Sequence, residues 1–253
     1  MKLRVHKTLA VLLALLILSG IATPAMAVDH SFHDVRVDRW YAEAVQFVYE
    51  NKIMDGVGGG RFNPQGNLTR AGVTALLFRV HNERTANGED SRDNPFDDVG
   101  DTWYAPYVTW AFDNDIVEGM SPTRFHPHRH VTRQEFAAML YRYAMSMTDL
   151  YNENMTSPQW LYFEDSWEVE RWAYAALHWM NFHGIVTGTT PTTINPIGTA
   201  SRAETAAIMM RFIERLAHPQ IPMPPLEPLC PELELRIRED FAARSSEHTT
   251  ERV

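Results

Sequence analysis

Three arginines, Arg70, Arg133 and Arg202, each follow a hydroxyl residue (Thr69, Thr132, Ser201) and each stand at the same distance from three other kinds of residue. Thirty positions before them are Trp40, Trp103 and Trp172; fourteen before them are Gly56, Gly119 and Gly188. Eight before them are Phe62, Phe125 and Ile194, each followed two residues later by a proline, Pro64, Pro127 or Pro196. A guanidinium is permanently charged, and its planar fork matches a carboxylate in two parallel hydrogen bonds. At the first position of a helix it also sits beside unpaired backbone amides and the positive end of the macrodipole, which favour an anion. An indole offers a flat apolar face, and glycine lets the backbone approach closely or take a positive φ. Together these groups suit the capture of an anion by local geometry. Each has a plainer alternative: an arginine paired with a nearby Asp or Glu, a tryptophan buried as core, a glycine closing a helix.

The constant frame means that the groups are carried on a repeated element. A period of this size marks units that cannot bury an apolar face alone and must stack on one another. In the first helix of each unit the apolar positions are Ala44, Val45, Phe47 and Val48, then Tyr107, Val108, Trp110 and Ala111, then Ala176, Leu177, Trp179 and Met180. Ile53, Ile116 and Ile185 close the element, three residues ahead of the glycine. The spacing is helical, with the tryptophan as an aromatic anchor.

The second helix opens at the hydroxyl–arginine pair. Its stripe is Val73, Leu76, Leu77, Val80, with counterparts Phe136, Met139, Leu140, Tyr143 and Thr205, Ile208, Met209, Phe212. Thr132 with Glu135, and Ser201 with Glu204, predict capping boxes. The first unit has Gly72 in place of the glutamate, which loses the reciprocal bond and costs about 1 kcal/mol locally.

Residues 1–27 are expected to be an export leader. Lys2, Arg4 and Lys7 form the basic start, Leu9 to Ile21 the apolar run, and Ala25-Met26-Ala27 the cleavage signal. The run is short for a membrane span, so the mature chain is not expected to cross a bilayer. Cleavage removes three positive charges and takes the formal net charge from −9 to −12. Lys52 is then the one lysine left. Such an acidic chain does not grip nucleic acid or anionic lipid through its overall field. Cys230 is the single cysteine, so no internal disulfide forms, and 45% hydrophobic residues must supply the core.

The units are expected at 28–85, 93–147 and 160–217, with polar spacers at Asn82–Asn94 and Met147–Gln159. From 218 to 253 the chain reads as a Pro-rich linker and a charged, disordered tail, with one modest helical stretch around Leu233 to Ala243. No His-Glu-x-x-His, nucleophile elbow or Gly-rich cofactor fingerprint occurs, so no catalytic residue, cofactor or metal ligand is assigned and the chain is read as non-enzymatic. His126, His128 and His130 lack supporting carboxylate or cysteine ligands. The fold class is all-α, three helix–loop–helix repeats.

The strings Phe32-His33-Asp34-Val35, Trp40-Tyr41, Arg61-Phe62-Asn63-Pro64 and Thr69-Arg70-Ala71 resemble the S-layer homology family. So do Phe96-Asp97-Asp98-Val99, Trp103-Tyr104, Phe125-His126-Pro127 and Thr132-Arg133-Gln134-Glu135 in the second copy. The third carries Phe163-Glu164-Asp165, Trp172, Ile194-Asn195-Pro196 and Ser201-Arg202-Ala203-Glu204, with Ser166 and Ala173 departing from the pattern. The resemblance implies a pseudo-threefold bundle with three helical prongs, and grooves between repeats that bind secondary cell-wall polysaccharide. The ligand is implied to be pyruvylated and linked to peptidoglycan. Carried over by position, Arg70, Arg133 and Arg202 contact the pyruvate carboxylate; Trp40, Trp103, Trp172, Asp34, Asp98, Asp165, Gly56, Gly119 and Gly188 help form the pockets. The implied role is envelope anchoring at the surface of a bacterium. The alternative is a surface-layer-associated structural protein whose tail drives self-assembly or recruits an envelope protein.

Overall fold

The computed structural model describes residues 32–84, 94–147 and 161–217. The leader, most of both spacers, the Pro-rich stretch, the tail helix and Cys230 lie outside the described residues. Six α-helices follow in order: α1 (Ala42–Glu50), α2 (Arg70–Arg84), α3 (Ala105–Asp113), α4 (Arg133–Met147), α5 (Arg171–Phe182) and α6 (Arg202–Ala217). A short 3₁₀ turn, Ser166–Glu168, precedes α5. No strand occurs among the described residues, whose β pairing is confined to isolated bridges between loops. The chain is all-α.

The apolar periodicity places the core. All four stripe residues of α2, of α4 and of α6 are buried, as are Val45, Val48, Val108, Ala111, Leu177 and Met180 on the first helices. Both capping boxes form. The Thr132 hydroxyl accepts the Glu135 amide at 3.3 Å while the Thr132 amide donates to Glu135 Oε2 at 2.9 Å; Ser201 and Glu204 do the same at 3.2 and 2.8 Å. In the first segment one half of the box survives, the Gly72 amide donating to Thr69 Oγ1 at 3.1 Å.

The first helices end on a positive-φ residue that is not the glycine expected to cap them. Lys52, Asp115 and Gly184 take φ 56°, 56° and 65°. The amides of Ile53, Ile116 and Ile185 then reach back to Val48, Ala111 and Met180 at 2.8–2.9 Å, and all three isoleucines are buried. This six-to-one bond plus an apolar contact is how a helix with spare carbonyls is closed. Gly56, Gly119 and Gly188 therefore have another reason to be glycine.

Each first helix packs on the second helix of a different segment. α3 lies on α2, α5 on α4, and α1 on α6, while α2 also meets α4. The last segment thereby closes onto the first. At the centre three buried backbones hand hydrogen bonds around a ring: Val131 N–H to the Leu68 carbonyl at 3.0 Å, Ala200 to Val131 at 3.2 Å, and Leu68 to Ala200 at 3.2 Å. One turn outward, the Arg70, Arg133 and Arg202 amides donate to the carbonyls of Arg129, Gly198 and Gly66 at 2.9, 2.9 and 2.7 Å. The next amides, of Ala71, Gln134 and Ala203, donate to Pro127, Pro196 and Pro64 at 3.1, 3.0 and 2.9 Å. The opening amides of each long helix, which a helix cannot satisfy internally, are thus consumed between segments. The expectation that they stand free for an anion is corrected.

Candidate functional site

The arginine side chains follow their amides across the same boundaries. Arg70 donates Nε to the Phe125 carbonyl at 3.0 Å and Nη2 to that of Glu118 at 2.8 Å. Arg202 donates to Phe62 and Asp55 carbonyls at 2.7 and 2.6 Å. Arg133 donates Nε to Ile194 O at 2.8 Å, and its Nη1 meets Glu204 Oε1 at 2.7 Å. Arg70 and Arg133 are only 4% and 5% exposed, so both are already engaged with the protein itself. Arg70 and Arg202 also stack on Phe125 and Phe62, 4.6 and 4.5 Å from the ring centres. Burial pulls the Arg70 guanidinium down to about 10, against the opposing charge of Glu135; it stays cationic at neutral pH. Burial also lowers Arg133 and Arg202, with Glu204 and Asp34 respectively opposing it.

The aspartates act within their own segment. Asp34 accepts the amides of Phe62 and Asn63, both at 2.8 Å. Asp98 accepts those of Phe125 and His126 at 2.8 Å, and Asp165 those of Ile194 and Asn195 at 2.8 and 2.6 Å. The second residue of each pair, Asn63, His126 or Asn195, has φ 58°, 58° or 51°, a conformation side chains rarely adopt without such a clamp. For Asp34 and Asp98, desolvation is the largest single influence and would raise the carboxyl. The accepted amides outweigh it and hold both below the usual range. The structure places the three aspartates at the loops, supporting the carbonyls that the arginines use.

The glycines are required by close approach. A Cβ on Gly56 would lie 2.5 Å from the Phe32 ring and 2.7 Å from the Arg61 carbonyl. On Gly188, at φ 96°, it would meet the carbonyls of Thr190 and Thr193 at 2.6 and 2.8 Å and the Phe163 ring at 2.9 Å. Gly119 faces the Phe96 ring in the same way, at 2.6 Å.

The tryptophans are not core. Trp40, Trp103 and Trp172 are 65%, 68% and 53% exposed. Trp40 and Trp103 precede their helices and stand perpendicular to Tyr41 and Tyr104, at 84° and 83° with ring centres 5.3 and 5.4 Å apart. Trp172 lies inside α5 and is followed by the buried Ala173, so it has no such neighbouring ring.

One groove gathers candidates from all three segments. Trp40 of the first, Arg133 of the second and Gly188 of the third line a cavity of about 40 Å³, with Val186, Thr187, Glu204, Ala207, Ile208 and Arg211. Glu204, Thr187 and Arg211 were not among the sequence candidates. Arg79, Arg142 and Arg211 each stand nine residues after the hydroxyl-linked arginine, and that constancy is the signal that finds them. An exposed indole, two guanidiniums and a close-approach glycine suit stacking on a sugar and holding an anionic substituent. Among the described residues no group of three metal-ligating side chains occurs. None of the described helices is long and apolar enough to cross a membrane.

The chain is 30% identical over 195 residues to an amylopullulanase of Thermoanaerobacterium thermosulfurigenes, a match covering 76% of this chain and 10% of that protein. It is 28% identical over 204 residues to Exoglucanase XynX of Acetivibrio thermocellus, covering 79% and 18%. It is 30% identical over 185 residues to the Surface-layer 125 kDa protein of Lysinibacillus sphaericus, covering 72% and 15%. The chain therefore spans less than a fifth of the length of these curated relatives. The S-layer homology domain model matches residues 31–71 and 95–137, two stretches that are similar to that domain.

Proposed function

We propose that the chain is a non-catalytic anchor that binds secondary wall polysaccharide in grooves formed where successive segments meet, three copies acting as one pseudo-threefold module. The S-layer homology match indicates a location at the cell surface and wall. The observation that carries the ligand reading is the groove in which exposed Trp40 faces Arg133 and Gly188, each from a different segment. An indole left two-thirds in water gains little folding free energy by burial, and its place among the lining of a charged groove, rather than its exposure alone, supports a ligand role. The enzymatic names belong to proteins of which this chain matches 10% and 18%, and no catalysis is carried over from them. The test is cosedimentation of the chain with purified wall sacculi, before and after hydrofluoric acid strips the secondary polymer. Binding to intact sacculi and loss after stripping is expected; undiminished binding to stripped sacculi rejects the polymer as ligand.

A further inference from the structure

The three junctions between segments share one plan and differ in one side chain. At each, an arginine and the residue after it give their amides to the neighbouring segment: Arg70 and Ala71 to the second, Arg133 and Gln134 to the third, Arg202 and Ala203 to the first. The charges of Asp98, Asp165 and Asp34 act on Arg70, Arg133 and Arg202 alike. What differs is the capping residue of the segment that receives the arginine. Glu135 lies 3.9 Å from Arg70 and also takes Arg129, and Glu204 meets Arg133 at 2.7 Å. Both glutamates are shielded, with 13% and 26% of the side chain exposed. Each thus closes its own helix and also pairs with a buried cation across the junction.

Arg202 reaches into the first segment, where the corresponding residue is Gly72. It gives Nε and Nη2 to the Phe62 and Asp55 carbonyls. Among the described residues no carboxylate lies within ion-pair distance of it. The Asp55 carboxylate, whose charge also acts on Arg202, is 64% exposed and taken by Arg79 at 2.8 Å. A partly buried cation left without its partner weakens the contact it belongs to. The same junction closes the longest loop: Arg202 meets Phe62 across 140 residues, against 55 for Arg70 with Phe125 and 61 for Arg133 with Ile194. The entropy cost of closure grows with that separation.

We infer that the junction of the third segment with the first is a seam at which the ring opens while the other two junctions stay closed. Opening parts α1 from α6 and breaks the Leu68-to-Ala200 bond. It also separates Trp40 from Gly188 and Glu204, which line one cavity when the ring is shut. That cavity is therefore a property of the closed ring, and the seam sets how often it exists. The glycine leaves room for repair, since a Cβ at position 72 meets side-chain atoms alone, Leu68 Cδ1 and Thr69 Oγ1 at 3.2 Å and Leu68 Cγ at 3.5 Å.

Native-state amide hydrogen exchange of the full chain, read by NMR and corrected for intrinsic rates, tests this on matched pairs. The Arg202 and Ala203 amides should exchange about tenfold faster than Arg70 with Ala71 and Arg133 with Gln134. Gly72→Glu restores the carboxylate and should slow the seam pair about tenfold while the other pairs keep their rates. Gly72→Ala is the control: helix propensity in α2 acts equally in the open and closed ring, so it should leave the seam pair nearly unchanged. Glu204→Gly is the converse variant, and should bring Arg133 and Gln134 up to the rate of the seam. Equal protection of the three pairs in the natural chain, or fastest exchange at either other junction, would overturn the inference. So would a Gly72→Ala effect matching that of Gly72→Glu, or a Glu204→Gly chain whose Arg133 and Gln134 amides stay protected. If Gly72→Glu does not fold, the natural chain and Glu204→Gly decide.

Discussion

Arg70 and Asp98 hold opposite ends of one residue: the Phe125 amide donates to Asp98 at 2.8 Å and the Phe125 carbonyl accepts from Arg70 at 3.0 Å. Asp98 belongs to the same segment as Phe125, whereas Arg70 reaches in from the segment before. Arg202, Phe62 and Asp34 repeat the arrangement at 2.7 and 2.8 Å, as do Arg133, Ile194 and Asp165 at 2.8 Å. The next amide, of His126, shares its peptide group with the Phe125 carbonyl and also donates to Asp98, at 2.8 Å, so the carboxylate polarises the carbonyl that the guanidinium binds. The loop carrying the glycine is thereby fixed to its neighbour, and groove shape becomes a property of the assembled segments.

Removing a buried guanidinium should therefore cost more than a surface charge would. Arg70→Met leaves the Phe125 and Glu118 carbonyls without their partner in a site only 4% exposed. A loss of about 2–4 kcal/mol is expected. Arg202→Met, at a half-buried position, should lose less, because water replaces part of what is removed. Urea unfolding followed by circular dichroism gives both values; a larger loss at Arg202 would contradict the ranking.

Acid should weaken the fold in two steps. His183 is buried and its ring is held down to about 4, chiefly by desolvation and further by the Arg215 charge, so the folded state prefers it neutral. Its contribution is present above the ordinary histidine value near 6.5 and is lost as pH falls toward 4, on the order of 3 kcal/mol. Asp34 and Asp98 sit below the usual carboxylate value, so their contribution persists above about 4 and disappears beneath it. Unfolding free energies measured from pH 7 to 3 should show both limbs, and His183→Asn should flatten the upper one alone. A flat profile from 6.5 to 4 in the natural chain would refute the assignment.

Much of this was readable from residue order. The three stripes on α2, α4 and α6 and the two reciprocal caps follow from local spacing, because i, i+3, i+4 contacts and caps are made within a few residues. What spacing does not contain is which copy each side chain touches. Arg70 meets Phe125 55 residues away and Arg202 meets Phe62 140 away, so the hand-over between segments appears only in three dimensions. The aspartates hide for a different reason: they lie 28, 27 and 29 residues from the amides they bind, outside the invariant frame. The tryptophans, read as helix anchors, are exposed: Trp40 and Trp103 precede the first helical turn, and Trp172 stands in the first turn of α5.

Gly188 should tolerate no side chain. Its φ of 96° is strained for any L-residue, and a methyl would press on two carbonyls and the Phe163 ring. Gly188→Ala is expected to cost about 1–3 kcal/mol and to weaken sacculus binding by deforming the groove wall. Gly184, at φ 65° with open space around its missing Cβ, should bear alanine with about 1 kcal/mol of strain and no effect on binding. Thermal melts and cosedimentation of both variants check the contrast; equal binding defects would mean that backbone strain, not the groove surface, is being read out.

Trp40 offers the cleanest separation of binding from folding. It is 65% exposed, and its one ring contact, the perpendicular Tyr41, is worth about 0.5–1 kcal/mol beyond area burial. Trp40→Ala should thus leave the melting temperature within a few degrees while sacculus affinity falls at least tenfold, the order expected when a stacked ring loses its platform. Trp172→Ala should matter less to binding. Trp172 has Ala173 where the others have tyrosine, and by the same packing order its helix α5 lies on α4, where Arg142 is already neutralised by Glu118. High salt should weaken the natural chain too, since a half-exposed guanidinium such as Arg211 is screened within a Debye length of about 10 Å at 0.1 M. If Trp172→Ala lowers affinity as much as Trp40→Ala, binding does not centre on the groove that Trp40 lines.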